Sequence, residues 1–260
     1  MTLLTRTDAD AIAHLELNSP ANLNALSDGM LAALQSELDA LKADTSIRAV
    51  ILSGAGKAFC AGHDLKEMQA ARQNPDGGTA AWADLFNRCA TMMQTIQSLP
   101  QPVIAQVHGI ATAAGCQLVA TCDMAVAAEG TRFGVNGVNI GLFCSTPMVA
   151  LTRNIPRKRA FEMLTTGRFL SAEEACEVGL INRAVAPEAL ADETRALAQT
   201  IAAKLPVAVK IGKGAFYEQA QMTTQDAYAY ASAVMVENME HAQTNEGISA
   251  FLEKRDPDWA

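Results

Sequence analysis

Lys57-Ala58-Phe59-Cys60-Ala61-Gly62-His63-Asp64-Leu65 and Val107-His108-Gly109-Ile110-Ala111-Thr112-Ala113-Ala114-Gly115-Cys116-Gln117-Leu118 are the two stretches around which the chain is organised. Each leaves a strand-like segment, crosses a run of small residues and enters a helix start. Small residues leave backbone N–H groups free to point at a ligand, and a helix N-terminus offers unpaired donors at the positive end of its dipole. Two such ends facing one cavity form an oxyanion hole, in which losing one donor typically costs ~10²–10³ in rate. The chemistry predicted is activation of a carbonyl.

Working outward, Ala11-Ile12-Ala13-His14-Leu15-Glu16-Leu17 alternates as a strand with one buried face, with His14 on the polar side. Asn18-Ser19-Pro20-Ala21-Asn22 ends it. Ser27 is the expected cap of an amphipathic helix of about four turns in which Leu31, Leu34, Leu38 and Leu41 repeat at helical spacing. Ala49-Val50-Ile51-Leu52 reads as a short buried strand feeding the first loop, after which Asp64 is placed to cap a short helix from Leu65. Gln73-Asn74-Pro75-Asp76-Gly77-Gly78 reads as a flexible segment, and a long helix is expected over 79–98 with Leu85, Met92, Met93 and Ile96 on its apolar side. Pro100 and Pro102 break it, and Val103–Val107 is the strand that feeds the second loop. Between Phe133 and Pro147 regular periods fail, which predicts an irregular wall with Ser145 capping the helix at Pro147. Ser171 and Glu174 have capping-box spacing, and after Pro187 the sequence is nearly all helical. The rhythm predicts an α/β fold without fixing which one.

At 260 residues and 50% hydrophobic, the chain can bury a full core as one domain with a helical appendage. No apolar run reaches membrane-spanning length, and the first eight residues lack a long apolar stretch, so the expectation is a cytoplasmic protein without a membrane partner. Six cysteines show no C-x-x-C pair or metal-ligand spacing, which suits a reducing compartment without a metal site or disulfide framework. The formal charge of −8 argues against a nucleic-acid surface.

A-F-C-A-G-H-D-L (58–65) and P-V-I-A-Q-V-H-G-I-A-T-A-A-G-C-Q-L-V-A-T-C-D (102–123) resemble the two signatures of the crotonase (enoyl-CoA hydratase/isomerase) superfamily. The likeness runs from the first strand to the last helix. It implies a crotonase-like ββα spiral core over 1–186 and a C-terminal helical trimerisation region over 187–260, packed as a homotrimer or a dimer of trimers. It further implies an acyl-CoA thioester as substrate, with coenzyme A entering as part of that substrate and no separate cofactor. The thioester carbonyl would meet the N–H groups of His63 and Ala114, the latter standing where most relatives have Gly. Ala25, Ala61, Gly62, Asp64, Leu65, Gly115 and Gly137 would contact substrate, and Lys57, Lys66 and Lys254 are candidates for the CoA phosphates. His108 and Asp123 fall where the resemblance implies structural roles.

Hydration of an enoyl thioester needs a base for water and an acid for the α-carbon, each typically contributing ~10²–10⁴ in rate. The family's hydratases use two glutamates. The resemblance places them at Gln117 and Gly137 here, so both carboxylates are absent. A glutamine can orient a water or carbonyl but cannot exchange a proton near neutral pH. His63 is a candidate replacement, because an imidazole titrates near neutrality and A-G-H-D-L resembles A-G-H-D-I of bacterial methylmalonyl-CoA decarboxylases. Cys144 aligns with a pocket tyrosine of those decarboxylases; a free cysteine is usually a buried hydrophobe. Ser145 has no evident base partner.

The leading reading is an acyl-CoA enzyme that works through a thioester enolate held by the His63 and Ala114 amides. Decarboxylation of an acidic acyl-CoA, thioester hydrolysis and acyl-CoA binding without catalysis are the alternatives, as is hydration served by a carboxylate from elsewhere, such as Glu67 or Glu129.

Overall fold

Residues 2–259 are described by a computed structural model. The alternating segment near the start folds as a hairpin: β1 (Leu4–Ala9) returns through Asp10 and Ala11, both at positive φ, into β2 (Ile12–Leu17). α1 (Asp28–Ala43) begins where Ser27 accepts a hydrogen bond from Met30 N at 3.2 Å, and it buries Leu31, Leu34, Leu38 and Leu41. β3 (Ala49–Gly54) leads to α2 (Leu65–Ala70) and α3 (Thr79–Ser98). β4 (Val103–Val107), β5 (Ile110–Thr112) and α4 (Ala114–Thr121) form the second loop region. Then come β6 (Met124–Ala128), β7 (Arg132–Gly134), α5 (Ser145–Asn154), α6 (Arg157–Thr166), β8 (Phe169–Ser171), α7 (Ala172–Glu177) and β9 (Arg183–Val185). The chain ends in α8 (Leu190–Ala202), α9 (Pro206–Gln219), α10 (Thr224–Glu240) and α11 (Ala242–Glu253).

The strands form a six-stranded sheet ordered β1-β2-β3-β4-β6-β9 and a three-stranded sheet ordered β5-β7-β8. Every pairing in the larger sheet after the first hairpin is parallel, so each circuit of the chain adds a strand beside the last. A parallel sheet is covered on both faces, which is why Ala49-Val50-Ile51-Leu52 reads as a continuous apolar run. Val50 and Leu52 face the large core with α1, α3 and α4, while Ala49 and Ile51 join Ile104 and Val126 against Leu190, Ala198 and Ala202 of α8.

Three local expectations change. The segment 73–78 is turn structure anchored by Asp76, whose carboxylate accepts from Gly78 N at 3.0 Å and Ala80 N at 2.8 Å. Asp76 thereby caps α3. Ser145 does not cap its helix: it is the first helical residue, and its hydroxyl turns back 3.4 Å to Phe143 O. His14 is half-buried, with Nε2 2.8 Å from Ser53 Oγ. The Ser171–Glu174 capping box forms as its spacing predicts.

The C-terminal helices are tied to the core through a buried charge. Lys213 Nζ on α9 donates to Asp123 Oδ2 at 2.7 Å and to the carbonyls of Ile96 and Gln101 at 2.9 Å each. Asp123 also accepts from Val103 N at 2.6 Å and from the Tyr217 hydroxyl at 2.8 Å. Burial pulls the Lys213 ammonium down, and the Asp123 carboxylate pulls it up. Beyond this tie, α10 buries no side chain, and Tyr228, Met235, Val236, Met239, Phe251 and Leu252 are exposed. Removing one member of a buried pair leaves the other charge unpaired, at a typical cost of about 3–5 kcal/mol. Lys213→Met is therefore expected to lower the urea-unfolding free energy by about that amount, whereas Lys204→Met, on an exposed turn, should stay within about 0.5 kcal/mol of the parent.

Candidate active site

The two signature loops touch backbone to backbone. A Cβ built on Gly115 would lie 2.2 Å from Cys60 O, and one on Gly62 would lie 3.2 Å from Ala114 N, so any side chain at 115 would push the loops apart. A bridge between Cys60 and Ala111, with Thr112 N donating to Cys60 O at 3.0 Å, fixes their register. On the other side the first loop is clamped by the 23–26 turn: Ala61 N donates to Leu23 O at 3.0 Å and Leu26 N to Gly62 O at 2.7 Å. Asn24, fully buried, holds that turn by donating to the carbonyls of Ala55 and Ala58 at 2.9 and 2.8 Å.

This packing leaves the His63 and Ala114 amides without a hydrogen-bond partner among the described residues. Ala113, immediately before α4, sits at φ 51°, ψ −119°. That region is the first central position of a type II′ turn, normally Gly, and a non-glycine residue in such conformations is strained by about 1–3 kcal/mol. It is held there by Ala113 N donating to Gly134 O at 2.9 Å. The strain therefore sits one residue before the Ala114 donor.

Both residues line a cavity of about 420 Å3. Leu65 and Met68 of α2 and Phe86 of α3 form one apolar side. Ile140, Leu142 and Phe143 form the other, with Thr112, Asn136, Cys144, Ser145 and Thr146 adding polar atoms. Among the side chains proposed from sequence, His63 and Cys144 line this cavity, as do Ala61, Leu65, Ala114 and Gly137. Ala25, Gly62, Asp64, Lys66, Gly115, Gln117 and Lys254 are not on its wall. Asp64 instead caps α2, accepting from Lys66 N at 2.8 Å and Glu67 N at 3.3 Å. Glu67 is occupied in accepting from Asp28 N at 2.8 Å, and neither it nor Glu129 reaches the cavity. Lys57, Lys66 and Lys254 are exposed. His108 lies with Nε2 2.8 Å from Gly56 O, a loop contact.

His63 is half-buried, and burial lowers its pKa. Its Nδ1 lies 3.4 Å from Leu26 O, and its ring meets Phe86 edge-on at 5.6 Å between centroids. A carbonyl oxygen only accepts, so the network assigns the proton to Nδ1 and leaves Nε2 with a lone pair. Nε2 is buried without a partner. Burial thus favours the neutral imidazole, whose lone pair then lies at the inner nitrogen.

Positions 117 and 137, where the resemblance would place glutamates, differ from each other. Gln117 is buried with Oε1 unpartnered. Gly137 has no room for a side chain at all: a Cβ there would lie 2.5 Å from Leu142 O and 2.9 Å from Cys144 Sγ. Cys144 occupies the space, and its own burial raises the thiol pKa, which keeps it protonated. Sequence reasoning missed the Thr112–Asn136 pair, in which the Thr112 hydroxyl donates to Asn136 Oδ1 at 2.5 Å. Its only signal was a polar residue directly before Gly137. Overpacking at a closed site typically costs about 1–3 kcal/mol. Gly137→Ala should lose that much in chemical denaturation, while Gly212→Ala, with nothing within 4 Å of its Cβ on helix α9, should be neutral or stabilising.

Comparison with known proteins gives this site a family. The family model described as Enoyl-CoA hydratase/isomerase matches residues 7–260. Enoyl-CoA hydratase domain-containing protein 3, mitochondrial, of Xenopus laevis is 45% identical over 95% of this chain and 83% of its own length. The crystal structure of an enoyl-CoA hydratase from Mycobacterium smegmatis superposes with a TM-score of 0.95 at 54% identity, covering 99% of this chain and 98% of that one. The structure of human enoyl-CoA hydratase domain-containing protein 3 gives a TM-score of 0.94 at 42% identity, covering 99% of this chain and 100% of that one. The fold is therefore the crotonase fold with a helical C-terminal region. The expectation of a cytoplasmic protein is corrected by the same comparison, because the Xenopus relative and its mouse and human counterparts are named as mitochondrial proteins. Free cysteines and a start without a long apolar stretch, on which that expectation rested, do not distinguish one reducing compartment from another. With both signatures in contact, their amides open to one cavity, and the family model matching from residue 7 to residue 260, the chain belongs to the enoyl-CoA hydratase/isomerase family.

Proposed function

We propose that this protein acts on acyl-CoA thioesters through an enolate whose oxygen is held by the His63 and Ala114 amides, with His63 Nε2 as the sole base. The observation that carries this reading is the unpartnered, buried Nε2 of His63, a residue of the cavity lining whose only other titratable side chain among the described residues is the protonated Cys144 thiol. One base beside an oxyanion hole supports proton shuttling. Nε2 takes a proton from the carbon next to the thioester, and the C–H electron pair passes into the enolate. The imidazolium then returns the proton to the same carbon or to the far end of a conjugated system, which exchanges the α-hydrogen or moves a double bond. Hydration by two carboxylates has no carboxylate on this wall. Decarboxylation is less favoured, because neither a Lys nor an Arg lines the cavity to hold an acidic acyl group. The exposed Lys57, Lys66 and Lys254 are our assignment for the CoA phosphates.

The test is deuterium uptake at the α-carbon and double-bond migration in a 3-enoyl-CoA, followed by mass. His63→Gln should lower both by about 10²-fold or more, while binding of the CoA ester, measured by calorimetry, persists. Because burial lowers the His63 pKa, the reactive neutral form predominates at pH 7. The rate should then be flat through neutrality and fall only as pH drops below the ordinary histidine value of 6.5. Exchange unaffected by His63→Gln sinks the assignment, and net addition of water would restore hydration.

We further assign the helices after residue 187 to a homotrimer or a dimer of trimers, supported by the exposed apolar residues of α10 and α11. Light scattering should give three or six times the 27.5 kDa chain mass; a monomer at micromolar concentration would overturn this.

A further inference from the structure

Asn136 stands at the turn between β7 and the irregular wall, and Thr112 stands at the end of β5, two residues before the Ala114 donor. Both line the cavity, on the wall where Gly137 contributes only backbone. The Thr112 hydroxyl donates to Asn136 Oδ1 at 2.5 Å, which fixes which end of the carboxamide is satisfied. The amide nitrogen is left with its two N–H donors unpartnered among the described residues. Ile140, Leu142 and Phe143 supply the apolar part of the lining, and Cys144, Ser145 and Thr146 its other polar side chains. A donor left unpartnered on a residue of the cavity lining is available to a ligand, whereas Val or Leu would fill the same space without a polar atom to satisfy.

We propose that Asn136, oriented by Thr112, determines selectivity for acyl chains that bear an acceptor oxygen beyond the thioester carbonyl, such as a hydroxyl or keto group. This rests on the acyl-CoA reading of the cavity. The carbonyl of the thioester is met by the His63 and Ala114 amides, so the Asn136 amide is a third donor, available to a second oxygen on the same molecule. A chain that lacks this oxygen leaves the amide unpaired when water is expelled. A chain that bears it replaces that water with a direct bond. Discrimination of this kind is strong when the site's polar group has no alternative partner. Thr112 is a positioning residue: without its hydroxyl the carboxamide is free to turn its oxygen toward the ligand, where it repels an acceptor and requires a donor.

The experiment compares calorimetric binding of butyryl-CoA, 3-hydroxybutyryl-CoA and 4-hydroxybutyryl-CoA to the full-length protein. The parent is expected to bind one hydroxylated ester about ten-fold or more tightly than butyryl-CoA. Asn136→Leu should erase the preference for the hydroxylated ester over butyryl-CoA, and Thr112→Val should weaken it. The Thr112→Val variant also separates orientation from volume, since the two side chains have nearly the same shape. Equal affinity for all three esters in the parent overturns the role of Asn136 and leaves the acyl-CoA reading intact. A preference that survives Asn136→Leu overturns it equally. Binding of none of the esters overturns both.

Discussion

The approach of Gly115 to the Cys60 carbonyl sets how close the two signature loops come, and most of the site follows from that distance. With no Cβ at 115, α4 begins directly against the first loop, and the bridge between Cys60 and Ala111 holds the register. The helix then starts with the buried Ala114 on the cavity lining, and the preceding turn must bend so sharply that Ala113 takes a conformation usually left to glycine. Strain of about 1–3 kcal/mol in one residue is sustainable only where the surroundings over-determine it. Here they do so through Gly134 on one side and the buried α4 on the other. The same packing that strains Ala113 leaves the Ala114 N–H unpartnered among the described residues, a donor of the kind that favours an oxyanion.

The rest of the cavity follows from what surrounds that hole. Low polarity on the walls penalises an imidazolium, which is why burial lowers the pKa of His63 and why a neutral base suits this position better than an acid. Burial raises the Cys144 thiol for the same reason, since the thiolate is its charged form. A side chain at 137 would need both Leu142 and Cys144 to move, so the path of the 136–147 wall itself leaves no room for a carboxylate at that position. Among the described residues of such a wall, His63 and Cys144 are the titratable side chains and Thr112, Asn136, Ser145 and Thr146 the neutral polar ones.

Periodicity made the large elements legible. Leu31, Leu34, Leu38 and Leu41 mark α1, and the apolar run at 49–52 marks a strand buried on both faces. The signature loops were legible through their small residues, because close backbone approach tolerates few alternatives. What escaped has a common physical cause. The β1–β2 hairpin turns on Asp10 and Ala11, both at positive φ, and lacks the Asn-Gly or Asp-Gly signal that such turns usually show. Asn24, Asn136 and Thr112 act by orientation across 20 or more residues, as in the 24-residue separation of the Thr112–Asn136 bond, and spacing along the chain holds no trace of that. Whether a His is basic or acidic depends on burial and on which nitrogen meets a carbonyl, and neither can be read from its neighbours in sequence.

The larger sheet divides stability from chemistry along its strands. In a parallel sheet, ligands gather beyond the carboxyl ends of the strands, and here β3 and β4 both run out into the signature loops at that end. The amino end of β4 is where Asp123 accepts from Val103 N and where Lys213 and Tyr217 of α9 are tied in. The five-residue strand Val103–Val107, buried at all but Gln106, separates the two. A charge network that costs desolvation is placed where it meets no substrate and fixes one helix against the core. The strained, partner-poor groups are placed at the opposite end, where a ligand can supply the missing bonds. The exposed apolar residues of α10 and α11 lie on helices packed on one another and, through α10, on α9, so contacts made there bear on the helix that Lys213 anchors.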